Sequence, residues 1–321
     1  MKIRALVLFL LLLFASPSLA ITSPTEDLMK IGVGARPMGM GKAFVAVADD
    51  GNAVFLNPAG LASLKTWQIT SMYTSLFEGE LPYILLTGSY PFEFGNLGLG
   101  FISTGTGQII SPSPGGITYF DYYDRLFFIS YAEDAQKRFG WKNILLGGNL
   151  KIFTKGFSGP VANSGFGLDC DLGVKYTYNP WLTFGANLQN ALPLPLRWSS
   201  GSEDDIPMLF KVGTATRVYE EKILLALDMD LALGRPLPTP FHFGVEWPVN
   251  QYLTLRTGLD QIVSAASKIS TNFTAGVGLD YSGFRMDYAY HPYQETSASV
   301  AHYISFSYSP TLEVQPVVKP K

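Results

Sequence analysis

Apolar residues alternate with small or charged residues throughout Phe166-Gly167-Leu168-Asp169-Cys170-Asp171-Leu172-Gly173-Val174-Lys175-Tyr176. Successive side chains of a β-strand point to opposite faces, so this period of two predicts a strand with one apolar face and one polar face. The segments Phe241–Trp247 and Phe273–Tyr281 repeat the pattern. Such strands suit lipid or a packed core on one side and water or a polar lumen on the other.

The gaps between successive segments alternate between short and long. Short gaps fall at Tyr178–Pro180, Tyr219–Glu221, Pro248–Gln251 and Tyr281–Gly283, and long gaps at Gly156–Ser164, Asn190–Asp205, Gly234–Thr239 and Asp260–Ile269. Two gaps break the rule, because Glu78–Glu80 is short where a loop is due and Glu133–Lys142 is long where a turn is due. Short periplasmic turns and longer outer loops are typical of outer-membrane barrels, whereas a soluble sandwich lacks this asymmetry.

The segments predict an all-β fold, a 14-stranded antiparallel transmembrane β-barrel of outer-membrane type. The predicted strands are Thr66–Phe77, Leu81–Tyr90, Asn96–Thr104, Tyr122–Ala132, Asn143–Lys155, Gly165–Thr177, Trp181–Gln189, Ile206–Val218, Lys222–Leu231, Pro240–Trp247, Tyr252–Leu259, Ser270–Asp280, Phe284–His291 and Ala298–Tyr308. Most are nine to thirteen residues long, which is the length that a tilted membrane strand needs. An even number of strands predicts that both chain termini lie in the periplasm.

The N-terminal residues predict a signal peptide for export, and the C-terminal residues predict a tail after the last strand. Lys2 and Arg4 precede the apolar run Ala5–Phe14, and Ser18-Leu19-Ala20 supplies small residues for cleavage. Residues 1–20 are therefore a predicted signal peptide, and the mature chain begins at Ile21. Residues 21–65 lack sustained alternation, residues 66–309 carry the barrel, and residues 310–321 form a predicted periplasmic tail.

Composition excludes several classes of function. The net charge is −3 and charged residues make up 15% of the chain, which gives no basis for nucleic-acid binding. After the leader there is no apolar run of the roughly 18 residues that a membrane helix needs. The single Cys170 and the three separated histidines match no metal motif, and no cofactor is expected. No nucleophile motif is present, so the chain is predicted not to be an enzyme.

The most specific stretch lies before the first strand. It runs Gly34-Ala35-Arg36-Pro37-Met38-Gly39-Met40-Gly41-Lys42-Ala43-Phe44, then Val47–Val54, and then Asn57-Pro58-Ala59-Gly60-Leu61. This block resembles the N-terminal plug, or hatch, of FadL-type transporters, and more closely that of the PorV/PorQ relatives, which share the leading Gly-Ala-Arg. The resemblance covers 34–61 and implies a 14-stranded barrel with a plug in its lumen. The positions that match the plug motif are Gly39, Gly41, Ala43, Asp49, Asp50, Asn57, Pro58 and Ala59.

Local chemistry agrees with a plug. Asn57 precedes Pro58 and is biased away from helix, so any helix in 52–56 must end there. Asp49 and Asp50 have three possible roles: capping that turn, pairing with a lumen cation such as Arg36 or Lys42, or lying in a solvated turn.

Charged side chains are predicted on the inward face of the strands. They are Lys151, Asp169, Asp171, Lys175, Arg217, Asp228, Asp230, Glu246, Arg256, Asp280, Arg285 and Asp287. Aromatic residues near strand ends predict an interfacial girdle against outer-membrane lipid. They are Trp67, Phe77, Tyr83, Tyr90, Tyr122, Trp141, Trp181, Trp247 and Tyr308.

Three functions remain open. The FadL-type resemblance implies passage of small hydrophobic molecules, which predicts an apolar pocket walled by Gly105–Asp121 and Ala191–Leu196. The PorV resemblance implies a barrel that binds secreted or surface proteins, although the loops are short for such a role. The third alternative is a structural barrel without transport.

Overall fold

The computed structural model describes residues 28–76, 81–113, 116–159, 162–263, 267–293 and 299–310. The predicted signal peptide, the tail after Pro310 and Phe77 lie outside these residues. Short helices occur at Leu28–Lys30, Ala35–Gly39, Ala53–Leu56, Pro58–Ser63 and Ala135–Phe139. Among the described residues, no helix is long and apolar enough to cross a membrane.

Sixteen strands are formed by the described residues. They are β1 Gln68–Leu76, β2 Leu81–Phe92, β3 Gly95–Ser113, β4 Gly116–Asp134, β5 Ile144–Phe157, β6 Asn163–Asn179, β7 Leu182–Gln189, β8 Leu196–Trp198, β9 Glu203–Asp204, β10 Leu209–Val218, β11 Ile223–Ala232, β12 Phe241–Pro248, β13 Leu253–Val263, β14 Ile269–Tyr281, β15 Phe284–Tyr293 and β16 Ser299–Tyr308.

Fourteen of these strands close into an antiparallel barrel, which confirms the predicted fold. Each strand pairs with its neighbour in the chain, except that β7 pairs with β10 because β8 and β9 form a small hairpin between them. The ring closes where β1 pairs with β16, with Ile69 opposite Tyr308. Closure gives β1 and β16 a strand partner on both sides, which is the condition for crossing a membrane with strands.

The two faces of the wall differ as the alternation predicts. Large apolar side chains such as Leu99, Phe166 and Phe273 point outward and are exposed. The predicted inward charges point to the lumen: Lys151, Asp169, Asp171, Lys175, Asp228, Glu246, Arg256 and Asp287 are buried, and the others are partly buried. Cys170 lies between the outward-facing Leu168 and Leu172 and is half-buried.

The prediction of a loop at Gly105–Asp121 is wrong. The ladder between β3 and β4 continues to Ser113 opposite Gly116, with a bulge between Thr106 and Ile109. Cross-strand pairs such as Ile110 with Tyr119 hold this extension. The sequence hides it because this stretch shows no alternation in polarity, with Ile109 and Ile110 adjacent and Pro112 close behind them. At the opposite end, the long gap predicted at 133–142 contains the helix Ala135–Phe139.

The prediction that Tyr83 belongs to the lipid-facing girdle is also wrong. Tyr83 is fully buried, and its hydroxyl donates to the Leu28 carbonyl over 3.2 Å. Position along the strand suggested the girdle, but the face is set by register. Tyr83 shares the inward face of β2 with Leu85 and Thr87.

Candidate functional site

The chain before β1 packs against inward-facing residues of the wall, and we call residues Leu28–Lys65 the inner segment. Most of its side chains are buried, including Met38, Met40, Phe44 and Phe55. The helix Ala35–Gly39 packs against β14, β15 and β16, and the turn Pro58–Ser63 packs against β4, β5 and β6. The inner segment therefore contacts opposite sides of the wall.

Local sequence sets the bends of the inner segment. Gly41 and Lys42 have φ of 59° and 66°, a left-handed pair that reverses the chain after the first helix. The helix Ala53–Leu56 ends at Asn57, whose φ of −159° and ψ of 100° are extended, as the following proline requires. Gly41 also donates its N–H to Thr274 Oγ1 over 3.0 Å.

A row of wall glycines makes room for the inner segment. A Cβ atom on any of them would come within about 3 Å of the inner segment, mostly of its backbone. The row, which we call the glycine seat, consists of Gly98, Gly147, Gly173, Gly185, Gly244, Gly258 and Gly276, on β3, β5, β6, β7, β12, β13 and β14. Van der Waals contact at these points fixes the inner segment without using hydrogen bonds.

Five of the motif positions meet this seat directly. Gly39 faces Gly276, and a Cβ on Gly39 would lie 3.1 Å from the Gly276 Cα. Gly41 lies against Gly258, and Asn57, Pro58 and Ala59 lie against Gly147 or Gly173. A sixth motif residue, Ala43, is fully buried.

Arg36 connects the inner segment to the wall through charge. Its guanidinium binds both oxygens of Glu246 at 2.7 and 2.8 Å, and it contacts Asp49 at 2.5 Å and Asp50 at 2.8 Å. Glu246 in turn binds Arg256 at 2.7 Å, and Arg256 binds Asp287 at 2.8 Å. The two adjacent aspartates therefore pair with Arg36, one of the two cations considered for them.

The charges of this network stabilise one another. Burial alone would lower the pKa of Arg36, but Asp49, Glu246 and Asp50 raise it well above its ordinary value. Burial alone would raise the pKa of Asp49, yet Arg36 and Lys175 hold that pKa below its ordinary value. Both groups are therefore charged at neutral pH.

Lys42 belongs to a second cluster, which sequence reasoning missed. Its ammonium contacts Asp260 at 2.9 Å, and Asp260 also contacts His242 at 2.8 Å and His291 at 2.7 Å. The histidines lie on β12 and β15, separated by forty-nine positions, so no local spacing could reveal their meeting. Among the described residues, no group of histidine, cysteine and acidic side chains is arranged to hold a metal ion.

Wall side chains also hold the backbone of the inner segment. Asp228 Oδ2 accepts from the N–H groups of Phe44 at 2.6 Å and Val45 at 2.7 Å. Asn57 donates its amide to the carbonyls of Val45 at 2.8 Å and Val174 at 3.2 Å. The motif asparagine thereby joins two parts of the inner segment to β6.

A cavity of about 440 Å³ lies in the wall at the loop end of β2, β3 and β4. Its lining includes Pro82, Ile84, Thr104, Gly105, Tyr122 and Tyr123, together with Asp121 and Arg125. The predicted contribution from Gly105–Asp121 is present, but the lining is mixed rather than apolar. Ala191–Leu196 does not line this cavity and lies against β6.

No protein-family model matches the sequence, and no curated protein matches it. Solved structures do share the fold. The CymD monoaromatic hydrocarbon channel superimposes with a TM-score of 0.63 at 13% identity, over 89% of this chain and 99% of that one. The Pseudomonas putida toluene transporter TodX gives 0.62 at 13% identity, over 88% and 99%.

A third neighbour is a Pseudomonas aeruginosa FadL homologue, with a TM-score of 0.52 at 11% identity over 87% of this chain and 98% of that one. These neighbours share the barrel fold that the FadL-type resemblance implies. The closer PorV/PorQ resemblance, carried by Gly34-Ala35-Arg36, stays a prediction, as does the protein-binding role that it implies. The chain has the fold of the FadL-type outer-membrane barrels.

Proposed function

We propose that this barrel passes small hydrophobic molecules across the outer membrane, with the inner segment as a plug in its lumen. The observation that carries the proposal is that the buried inner segment packs against inward-facing residues on opposite sides of the wall. An open pore admits any small solute, whereas a barrel filled by its own backbone admits only molecules that find a specific route. In this proposal residues 1–20 direct export and are removed, and both termini lie in the periplasm.

The similar structures support the choice of cargo. CymD is described as a monoaromatic hydrocarbon channel and TodX as a toluene transporter. The mixed cavity at the loop end of β2–β4 offers a first binding site, where the rings of Tyr122 and Tyr123 supply apolar surface. Its polar members, such as Thr104 and Arg125, suit a molecule that arrives from water.

Uptake of radiolabelled toluene by cells that display the protein in their outer membrane tests the proposal. We expect faster uptake than in cells with an empty vector, and no increase in the entry of a hydrophilic sugar of similar size. Equal entry of both probes would indicate an open pore. No gain for toluene would reject the proposed function.

A further inference from the structure

One arginine of the wall departs from the separation of charged and apolar faces. Along β4, Leu126 is buried on the inward side, whereas Phe127 and Ile129 are exposed on the outward side. Arg125 belongs to the outward set by the same alternation, and it is exposed. Charge on the lipid-facing side of a barrel costs free energy, most at the bilayer midplane and least at the interfaces. An exposed arginine in this position therefore requires a partner or access to the interface.

The side chain of Arg125 extends along the wall without an ionic partner. Within the described residues it forms no ion pair, and its neighbour Asp124 points inward and binds Lys155 at 2.8 Å. The guanidinium carbon of Arg125 lies 5.0 Å from the centre of the Tyr123 ring, an outward residue nearer to the loop end of β4. The charge is thus directed towards the loops, as long cationic side chains are when they reach the polar interface of a bilayer.

Two hydroxyl groups lie beside Arg125 on the neighbouring strands. Arg125 is directly opposite Ser103 of β3 on one side and Thr154 of β5 on the other. Side chains of such pairs share a face, with their Cβ atoms about 5 Å apart. Neither hydroxyl forms a hydrogen bond within the described residues, and both residues are partly exposed. We call Ser103, Arg125 and Thr154 the outward donor row.

The outward donor row suits a phosphate group. The planar guanidinium presents several N–H donors in a fork that matches phosphate oxygens, and serine and threonine each add an O–H donor. Asp121 also faces this region, but it lies two outward positions nearer to the loops. Its carboxylate accepts from the Ser158 hydroxyl over 3.0 Å. The row therefore offers donors and positive charge to an anion.

Apolar surface borders the row on the side away from the loops. Ile84 lies opposite Ser103 on β2 and is exposed. The next outward row is apolar on all four strands and consists of Leu86, Phe101, Phe127 and Ile152. A free phosphate ion would use only the donors. A molecule with a phosphate at one end and hydrocarbon chains at the other would contact both rows.

We propose that the outward donor row binds the phosphate of a lipid headgroup in the outer leaflet, with the acyl chains of that lipid against the apolar row. Arg125 also lines the cavity at the loop end, so the bound headgroup borders the place proposed for the cargo. The lipid site does not depend on the passage of cargo. Only its assignment to the outer leaflet takes the orientation stated in the proposed function.

Native mass spectrometry of the protein in detergent micelles, titrated with diphosphorylated lipid A, tests the site. Arg125→Gln removes the charged donors, and we expect the affinity for lipid A to fall roughly tenfold. Arg138→Gln is the matched control, because it removes an exposed arginine beyond the opposite end of β4 and should leave the affinity unchanged. Circular dichroism checks that both variants fold. Equal affinities of the unaltered protein and Arg125→Gln would overturn the proposal, as would an equal loss in the control.

A change in the ligand provides a second test. Dephosphorylated lipid A should bind the unaltered protein roughly tenfold more weakly than lipid A does. The Arg125→Gln variant should bind the two lipids about equally, because it has lost the group that recognises phosphate. If the unaltered protein also binds them equally, it does not recognise phosphate and the proposal is rejected.

Two further probes identify the source of the phosphate. Inorganic phosphate should not displace lipid A at equal concentration, because it makes no contact with the apolar row. Phosphatidylglycerol should bind severalfold more weakly than lipid A, because its phosphodiester carries less negative charge than a phosphate monoester. Displacement by inorganic phosphate would reject a lipid site, and equal binding of phosphatidylglycerol would reject the outer-leaflet lipid. None of these measurements uses toluene, so the lipid site and the proposed passage can fail separately.

Discussion

The inner segment and the stretch Ala191–Leu196 are both irregular backbone, yet they are held in different ways. The inner segment rests on glycines of seven wall strands and is joined to the wall by buried ion pairs. In the stretch Ala191–Leu196, the N–H groups of Ala191 and Leu192 donate to β6. The difference predicts that the inner segment is the more stable of the two, because stability follows the number of contacts that must break together.

The largest effect is expected from removing the charge that ties the inner segment to the wall. Arg36→Gln removes the buried cation that pairs with Glu246, Asp49 and Asp50. Because breaking a buried ion pair leaves its partners uncompensated, we expect the free energy of unfolding to fall by about 3–5 kcal/mol. Urea unfolding in detergent micelles measures the loss. The control is Arg138→Gln, which breaks an exposed pair with Glu133 and should leave the unfolding midpoint unchanged. Equal midpoints for both variants would show that Arg36 does not hold the segment.

A smaller loss is expected from filling the glycine seat. The new side chain of Gly258→Val would collide with the backbone of Met40 and Gly41, and overpacking of this kind lowers the free energy of unfolding by about 3 kcal/mol at most. Gly88→Val is the matched control, because a Cβ there meets nothing within 4 Å. Limited proteolysis should cut the inner segment of the first variant and not of the second. Equal resistance in both would contradict the seat.

Asn57→Ala should lower the free energy of unfolding by about 2 kcal/mol, since it leaves the buried Val45 carbonyl and the partly buried Val174 carbonyl without their shared donor. The same urea titration measures it. Asn163→Ala serves as control, because that side chain bonds exposed serines near the hairpin of β8 and β9. If both variants unfold at the same urea concentration, the motif asparagine is not a structural link to β6.

The smallest change concerns the start of the inner segment, where the Tyr83 hydroxyl donates one hydrogen bond to the Leu28 carbonyl. Tyr83→Phe removes the hydroxyl that donates to Leu28, with an expected loss of about 1 kcal/mol. Hydrogen exchange near Leu28 should accelerate while exchange near Asn57 stays slow. Uniform acceleration along residues 28–65 would show that the inner segment moves as one body and that its two halves are held alike.

The strands of the wall and their inward and outward faces were largely predictable, because the alternation that distinguishes the two faces is a local property of each strand's sequence. The alternation in Phe166–Tyr176 placed Asp169 and Lys175 inward and Leu172 outward, and burial agrees. Where neighbouring residues do not alternate in polarity, that information is absent, and the extension of β3 and β4 could not be predicted for this reason. Tyr83 was misplaced because position along a strand was weighed without its face.

Less of the candidate site could be predicted. The motif block pointed to an inner segment, but the partner of each residue depends on closure of the ring. Arg36 binds Glu246, which lies 210 positions later in the sequence. Asp260 contacts Lys42, His242 and His291, which come from three different parts of the chain. The glycine seat could not be predicted either, because an inward-facing glycine in a strand resembles any other small residue in the sequence. Only the structure shows that the inner segment lies against these glycines.

The sequence by itself determined the number of strands, their order and their two faces, because a period of two and the lengths of the gaps are local properties. Tertiary structure alone decided which wall residues contact the inner segment and where the ladder pairing of β6 stops. The contacts depend on the pairing of β16 with β1, which brings residues hundreds of positions apart within a few ångströms of each other. The end of pairing depends on strand length, because β7 is shorter than β6 and pairs with only part of it.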